Sequence, residues 1–466
     1  MAYVWGVTLV ATLGGLLFGY DTAVISGTVN SLKINFIDPR NLSETMANSL
    51  LGFTVSSALI GCIIGGLAGG WMALRLGRRN SMIVAAVLLI ISAIGSGFPE
   101  LMLAPVGQNI EQFLTPFIIY RIIGGAGVGL ASMLSPMYIA EIAPAAKRGN
   151  LVSWNQFAII FGMLVVYFVN YSISRMGNEA WLHESGWRWM FFSETIPGVI
   201  FLFLLFFVPE SPRWLMIRNR EEKARAVLTR INGPVIAGEM ISEISGTVKG
   251  AGTSRLFSYG FLIVAVGVLL SVFQQFVGIN VVLYYAPEIF RNMGTSTDIS
   301  LLQTVIVGII NLTFTVIAIY TVDRFGRKPL QMAGALGMAA SMFALGFTFY
   351  FQDMGLAALV FMLFYVASFA ISWGPVTWVL LSEIFPNRIR GRAMAVAVAA
   401  QWISNYLVSW TFPIMDKSSA LNSLFHHGFS YWIYGIMGLF AAWFVWKLVP
   451  ETKGKSLEQM ETLFKK

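Results

Sequence analysis

The stretch "RLGRRNS" at residues 75–81 returns as "RFGRKPL" at 324–330, and the interval between the two copies decides the fold. Two further stretches keep nearly the same interval. "AEIAPAAKRG" at 140–149 returns as "SEIFPNRIRG" at 382–391, and "VPES" at 208–211 returns as "VPET" at 449–452. Short basic loops recur in any membrane protein, which explains repeated charges. It does not explain a shared Glu, Pro and Gly arriving in one order, so the chain reads as a duplication.

Composition says what is duplicated. Of 466 residues, 56% are hydrophobic and 12% charged, with a mean hydropathy of +0.71. That is about half the roughly 25% charge of a soluble globular chain, and many apolar runs reach the roughly 20 residues needed to cross a bilayer. Spans are expected near 5–28, 50–73, 80–97, 114–138, 150–171 and 188–208. A second set is expected near 257–285, 299–320, 329–350, 356–381, 391–413 and 430–449. The predicted fold is an all-α membrane protein with twelve transmembrane helices in two pseudo-symmetric six-helix halves, residues 1–208 and 257–450. Residues 209–256 form the linker, where "SPRWLMIRNREEKARAVLTRIN" alternates apolar and charged residues at helical spacing and predicts short amphipathic helices. Residues 451–466 form a tail.

The net charge of +8 raises the question of nucleic acid, but its distribution answers it. Of the 31 Lys and Arg, only Lys33, Arg40, Arg175, Arg188, Arg291 and Lys417 fall in or beside the loops of one side. Arg121 lies within a span, and the rest gather with the termini on the other side. This is the positive-inside bias, which makes that side cytoplasmic and the basic charge a topology signal. No nucleic-acid partner is expected, and the lipid bilayer is.

The single cysteine, Cys62, lies within a span and provides no disulfide framework. Adjacent His426–His427 lack metal-ligand spacing, no Gly-Lys-Ser/Thr phosphate loop occurs, and no nucleophile–base pair is evident. No metal, no cofactor and no enzymatic activity are expected. "GGAGVG" at 124–129 and the Gly61, Gly65, Gly69 series read as close helix packing. The first apolar run continues to spanning length without a cleavage site, so no removable leader is expected.

Charges at the inner face can pair across neighbouring helices: Arg75, Arg78 and Arg79 with Glu141 and Arg148 in one half, Arg324 and Arg327 with Glu383 and Arg390 in the other. Glu210 and Glu451 open the segments after the sixth and twelfth spans. Such pairs are candidates for an inner gate.

Within the spans, amides and aromatics suit a polyhydroxylated ligand, whose hydroxyls both donate and accept while its C–H faces stack on rings. Gln274, Gln275, Asn280 and Tyr284 surround Gly278, where the helix is expected to loosen. Asn311, Trp378, Gln401, Trp402 and Asn405 lie in later spans, and Gly374 with Pro375 permits a bend in the tenth. Gln156, Met163, Tyr167 and Asn170 share one stripe of the fifth span.

Asp21, in "LLFGYDTAVISGTV" at 16–29, is an acid inside the first span. A carboxylate near the bilayer centre costs roughly 2.5–3.5 kcal/mol on insertion scales and normally faces a partner or a cavity. It could be a fixed counter-ion to Arg121, a ligand contact, or a proton carrier. Burial favours the neutral carboxyl and a nearby guanidinium the ionised one, so a cycle that moves Arg121 could switch it.

These motifs carry a resemblance. "RxGRR/K", "PESPRW" and "PETKGKS" resemble the sugar porter family of the major facilitator superfamily. "FGYDTAVISG", "FQQFVGINVVLYYAPEIF" and "SWGPVTWVLLSEIFP" are similar to the bacterial D-xylose/proton symporters, relatives of the glucose facilitators. The resemblance implies proton-coupled uptake of a sugar, D-xylose above all, by alternating access, in a bacterial inner membrane with both termini cytoplasmic and with a monomer as the working unit. It assigns sugar binding to positions matching Gln156, Gln274, Gln275, Asn280, Asn311, Trp378 and Gln401, with Phe18, Tyr284, Gly374 and Trp402 in support. It assigns the proton, the coupling ion, to Asp21 with Glu194 assisting, and Arg121 is the partner whose approach and departure would switch Asp21. Two residues depart from the pattern: Met163 stands where the symporters carry Gln, and Leu74 where the loop motif carries Asp or Asn. A proton/hexose or polyol porter, a passive facilitator and a transporter-like sensor are the alternatives.

Overall fold

The structure is a computed structural model that describes residues 2–143, 148–250, 256–353, 355–386 and 389–453. Eleven of its helical elements are long and apolar enough to cross a membrane. In the first half these are α1 (Tyr3–Gly27), α2 (Glu44–Arg75), α3 (Arg78–Gly97), α4 (Ile110–Ile142), α5 (Leu151–Ser174) and α6 (Glu179–Leu205). In the second they are α7 (Phe261–Asn292), α8 (Thr297–Val322), α9 (Arg327–Tyr350), α10 (Leu356–Ile384) and α12 (Gly428–Leu448). Between the last two lies α11 (Arg390–Asp416), whose 27 residues also suffice to cross; it is less apolar because it carries Gln401, Ser404, Asn405 and Ser409. Twelve spans result, and the element types and order follow the sequence reading.

Small residues set the closest packing. A Cβ on Gly125 would fall 1.7 Å from the Ala58 carbonyl oxygen, and one on Gly61 would fall 2.0 Å from that of Ile122. Neither position admits even alanine without moving backbone, so α2 and α4 touch along a glycine seam, the close approach that small residues allow in a bilayer.

Two spans are broken near the centre. α7 consists of Phe261–Phe276 and Ile279–Asn292, joined at Gly278 with φ +92°, a backbone that only glycine adopts cheaply. The expected loosening is there. α10 consists of Leu356–Ile371 and Trp373–Ile384, and its break falls at Ser372 (φ −130°, ψ −86°), just ahead of Gly374 and Pro375. Proline is tolerated in a first helical turn, so the helix stops before Pro375 and restarts with it.

α7 runs to Asn292, beyond the expected end near 285, with Pro287 inside it. Pro287 cannot donate to the carbonyl of Leu283, and the Tyr167 hydroxyl donates to that oxygen instead at 3.0 Å. Pro413 in α11 leaves the Ser409 carbonyl free in the same way, and the Tyr285 hydroxyl donates to it at 3.0 Å. In hydrocarbon each freed carbonyl needs such a partner.

Hydrogen bonds join the two halves toward the outer side. The Trp410 indole donates to the Ser49 carbonyl at 3.1 Å, Arg175 to Asp298 at 2.7 Å and Thr297 to Glu179 at 3.0 Å. Ser419 donates to Glu44 there as well. Among the described residues of the linker are three helices, Pro212–Ile217, Glu221–Asn232 and Pro234–Gly250, on the inner side of the first half.

Candidate functional site

Register between helices sets the depth of the pocket residues. α1 and α5 approach so closely that a Cβ on Gly19 would meet the Ile159 carbonyl and the Met163 amide. Phe18 is therefore level with Met163, about two turns of α5 outward from Gln156. Across the interface between halves the Phe18 ring lies 5.6 Å from that of Trp402. α8 packs Gly308 against Tyr167 and Leu164 of α5, which sets Asn311 one turn further in.

The break at Gly278 lets the amides of α7 form a chain. Asn280 donates to the Gln275 side-chain oxygen, Gln275 to the Gln274 oxygen at 3.4 Å, and Gln274 to the Trp373 carbonyl at 2.8 Å. Gln274 also reaches the Gly374 carbonyl at 3.4 Å, so the two broken helices are tied to each other. Tyr284 accepts from Asn405 at 3.3 Å, and Asn405 accepts from Ser409 at 3.1 Å. The Gln401 side-chain oxygen is buried without a hydrogen bond. An unmet acceptor of this kind costs about 1–3 kcal/mol, and a hydroxylated ligand can supply the donor. Gln156 and Trp378 are half-buried and Asn311 is buried. Tyr167 and Asn170, from the same stripe as Gln156, are spent between helices: Tyr167 on Leu283, and Asn170 on the Val24 carbonyl at 3.2 Å.

The acid cluster lies in the first half. Arg121 Nη1 donates to Asp21 Oδ1 at 2.8 Å and Nη2 to the Asp21 carbonyl at 3.3 Å, with the guanidinium over the Phe191 ring. Both side chains are almost wholly enclosed. Asp21 Oδ2 has no hydrogen bond, and neither has either oxygen of the buried Glu194. Beside them the Tyr20 and Ser193 hydroxyls share a 2.7 Å hydrogen bond, while the hydroxyls of Ser92 and Ser96 are unpaired. A Cβ on Gly124 would crowd both Ser92 and Asp21. The site thus holds two acids, one cation and spare hydroxyls in one enclosed region.

The inner charges form two copies of one arrangement. In the first half Arg78 pairs with Glu141 at 2.7 Å, and Glu210 accepts from the backbone N–H of Arg78 at 2.8 Å and of Arg79 at 3.2 Å. In the second, Arg327 pairs with Glu383 at 2.8 Å, and Glu451 accepts from the N–H of Arg327 and Lys328 at 3.1 and 3.0 Å. Ser211 and Thr452 each donate to the paired acid, Glu141 and Glu383. Both acid-binding N–H pairs open a helix behind a glycine at positive φ, Gly77 and Gly326, where backbone donors are unsatisfied. Burial works against the Glu451 carboxylate, but the N–H groups of Lys453, Arg327 and Lys328 hold its pKa below the ordinary carboxyl range.

Several predicted gate residues stand elsewhere. Arg75 is exposed, stacked over Trp71, and Arg324 lies over Phe325. Arg390 donates to the Phe385 carbonyl at 3.2 Å rather than to Glu383. The side chain of Arg148 lies outside the described residues. At Leu74 the backbone substitutes for the missing carboxylate: its carbonyl accepts from the Trp214 indole at 2.9 Å and from Arg218 at 3.3 Å, so a linker helix clamps this loop. His427 contacts Asp416 at 3.2 Å and His426 the Tyr350 carbonyl at 3.0 Å; the two rings serve different helix ends. Sequence reasoning missed Ser211 and Thr452, although the repeat "VPES"/"VPET" offered that signal. It also missed Tyr20, Ser92 and Ser193, which no motif marks.

Comparison with known proteins gives a consistent picture. Residues 7–464 match the family model described as "Sugar (and other) transporter". The D-xylose-proton symporter of Escherichia coli K12 is 63% identical, the alignment covering 99% of this chain and 96% of that protein. The glucose facilitated diffusion protein of Zymomonas mobilis is 42% identical over 98% and 96%. Among solved structures, the inward-open conformation of the E. coli xylose transporter superposes with a TM-score of 0.91 at 60% identity, covering 99% of this chain and 100% of that one. A crystal structure of a D-xylose-proton symporter gives 0.86 at 62% identity, covering 97% and 100%.

Proposed function

We propose a function from one premise: the chain belongs to the sugar transporter family, the sugar porters of the major facilitator superfamily. It is a multi-pass protein of the bacterial inner membrane that carries sugar and is not an enzyme. Its function is proton-coupled uptake of D-xylose by alternating access. The observation that carries the proton is the buried Asp21–Arg121 pair with an unsatisfied carboxylate oxygen beside a second unpaired acid, Glu194.

The halves, 1–208 and 257–450, rock about a site between them, with 209–256 as the inner linker and 451–466 as a tail. D-xylose binds through Gln156, Gln274, Gln275, Asn280, Asn311, Trp378 and Gln401, while Phe18, Tyr284, Gly374 and Trp402 shape the pocket and Met163 borders it. The amide chain on α7 ends on α10 carbonyls, so a sugar that hydrogen-bonds Gln275 or Asn280 pulls on both broken helices. With outer contacts made between the halves, the arrangement resembles the inward-open relative. In that state Arg121 is paired with Asp21. A proton that Asp21 takes up from the outer side frees Arg121 and travels inward with the sugar. It leaves on the inner side as the pair re-forms, and the empty chain turns outward again without it. The proton is the sole coupling ion, no cofactor takes part, and one chain suffices. The two inner ion-pair clusters each lie within one half, where they set the helix ends that must meet when the inner side closes.

A passive facilitator is the second reading, supported by the 42% identical glucose facilitated diffusion protein; Asp21 weighs against it. Labelled D-xylose uptake into proteoliposomes decides. Accumulation that requires an inward proton gradient supports symport, equal uptake without it supports facilitation, and uptake only of a hexose or polyol reassigns the sugar.

A further inference from the structure

One outer segment is not explained by transport. Residues 101–106, Leu-Met-Leu-Ala-Pro-Val, follow the outer end of α3 and carry no charge. The side chains face out: Met102 is 97% exposed, Leu103 68%, Val106 56% and Leu101 42%. Met102 also has φ +68°, an uncommon and strained backbone for a side chain of its size. The chain holds apolar groups outward at a conformational cost, which a solvated loop has no reason to do.

The base of this loop is built rigidly. Glu100 is fully buried and pairs with Arg188 of α6 at 2.7 Å. Its carboxylate also accepts from the Gly107 N–H at 2.8 Å, closing the loop on itself. The Glu100 carbonyl accepts from the N–H groups of Leu103 and Ala104 at 2.8 and 3.0 Å. Arg188 is held in turn over the Trp187 ring and by the Gly97 carbonyl.

Position says what the apolar tip meets. α3 has 20 residues, which at 1.5 Å each span about 30 Å, the thickness of the hydrocarbon core. Its inner end is fixed by Arg78 at the charged inner face, so Gly97 comes to the outer edge of the hydrocarbon and the loop lies in the headgroup zone. Phe98, Trp189 and Phe192 form a mutual edge-to-face trio there, with Trp189 half in the open, the aromatic belt expected at a membrane–water interface. The exposed faces of α3 and α6 continue below it through Ile91, Ile196, Val199 and Phe203, all apolar and facing lipid.

We propose that residues 101–106 dock into the outer leaflet of the bilayer, as an apolar wedge stapled to α3 and α6 by the Glu100–Arg188 pair. The occupant is phospholipid, because the wedge continues a lipid-facing surface and is flanked by interfacial aromatics.

The single cysteine makes the test clean, since Cys62 is fully buried. Met102→Cys and, separately, Val106→Cys are labelled with an environment-sensitive fluorophore in the full-length protein and reconstituted into phosphatidylethanolamine/phosphatidylglycerol vesicles. Asn41→Cys, in a polar outer loop, is the aqueous control. The wedge predicts emission shifted to the blue of the Asn41 probe, loss of fluorescence to phospholipids bearing a nitroxide near the headgroup, and protection from aqueous iodide. Iodide quenching equal to the control, with no loss to the nitroxide lipid, overturns the proposal. A blue shift that nitroxide lipids leave unquenched also overturns it, because it places protein over the loop.

Discussion

Arg121 of α4 and Asp21 of α1 form a 2.8 Å ion pair in which the two side chains are 2% and 0% exposed. The pair uses one carboxylate oxygen and leaves the other without a hydrogen bond. It lies in the same enclosed region as Glu194 and the Tyr20–Ser193 hydroxyl pair. An ion pair this enclosed persists only while both partners stay, because removing one strands a buried charge.

That asymmetry gives the first prediction. Arg121→Leu leaves Asp21 uncompensated and should lower stability by about 3–5 kcal/mol. Adding Asp21→Asn removes the stranded charge and should recover most of the loss. Thermal melts of both proteins in detergent check it; a double variant no more stable than Arg121→Leu alone contradicts it.

The second concerns acid. Burial opposes the Glu451 carboxylate, yet the N–H groups of Lys453, Arg327 and Lys328 hold its pKa below the ordinary value, which is about 4.3 for Glu. A depressed acid contributes stability above its unfolded pKa and loses it as pH falls through the folded one. The native protein should therefore lose melting temperature below about pH 4.3, and Glu451→Gln should be less stable at pH 7 with a flatter acid limb. Identical pH profiles for the two would refute the role.

Third, Met163 is buried against α1 at the depth of Phe18 and Trp402, and its thioether donates nothing to a sugar hydroxyl. Met163→Gln adds a donor and an acceptor there. One net hydrogen bond is worth about 0.5–1.5 kcal/mol, so KM for D-xylose should fall by roughly 2- to 12-fold. Initial-rate uptake measures it, and an unchanged or higher KM would remove Met163 from the pocket's edge.

Much of this was legible in the sequence. The duplicated motifs and apolar runs gave twelve spans in order, because span length is fixed by bilayer thickness and the motifs by helix-end chemistry. Asp21 and Arg121 were identifiable as partners because each is costly alone in hydrocarbon. Other features depend on what tertiary packing places beside a residue. The α10 break belongs to Ser372 since Pro375 fits a first turn. α7 passes Pro287 because Tyr167, 120 positions earlier, covers the freed Leu283 carbonyl. Arg78 rather than Arg75 meets Glu141 because the turn at Gly77 directs one guanidinium inward and leaves the other outside. Leu74 reads as a lost gate charge in sequence, yet Trp214 and Arg218 of the linker bind its carbonyl.

The central claim is that Asp21 carries the proton, and the most direct measurement compares native protein with Asp21→Asn in proteoliposomes. Labelled D-xylose is followed under an inward proton gradient and, separately, in equilibrium exchange. The account predicts that the variant loses gradient-driven accumulation and retains exchange. Accumulation that survives in Asp21→Asn, or accumulation and exchange lost to the same extent, would contradict it.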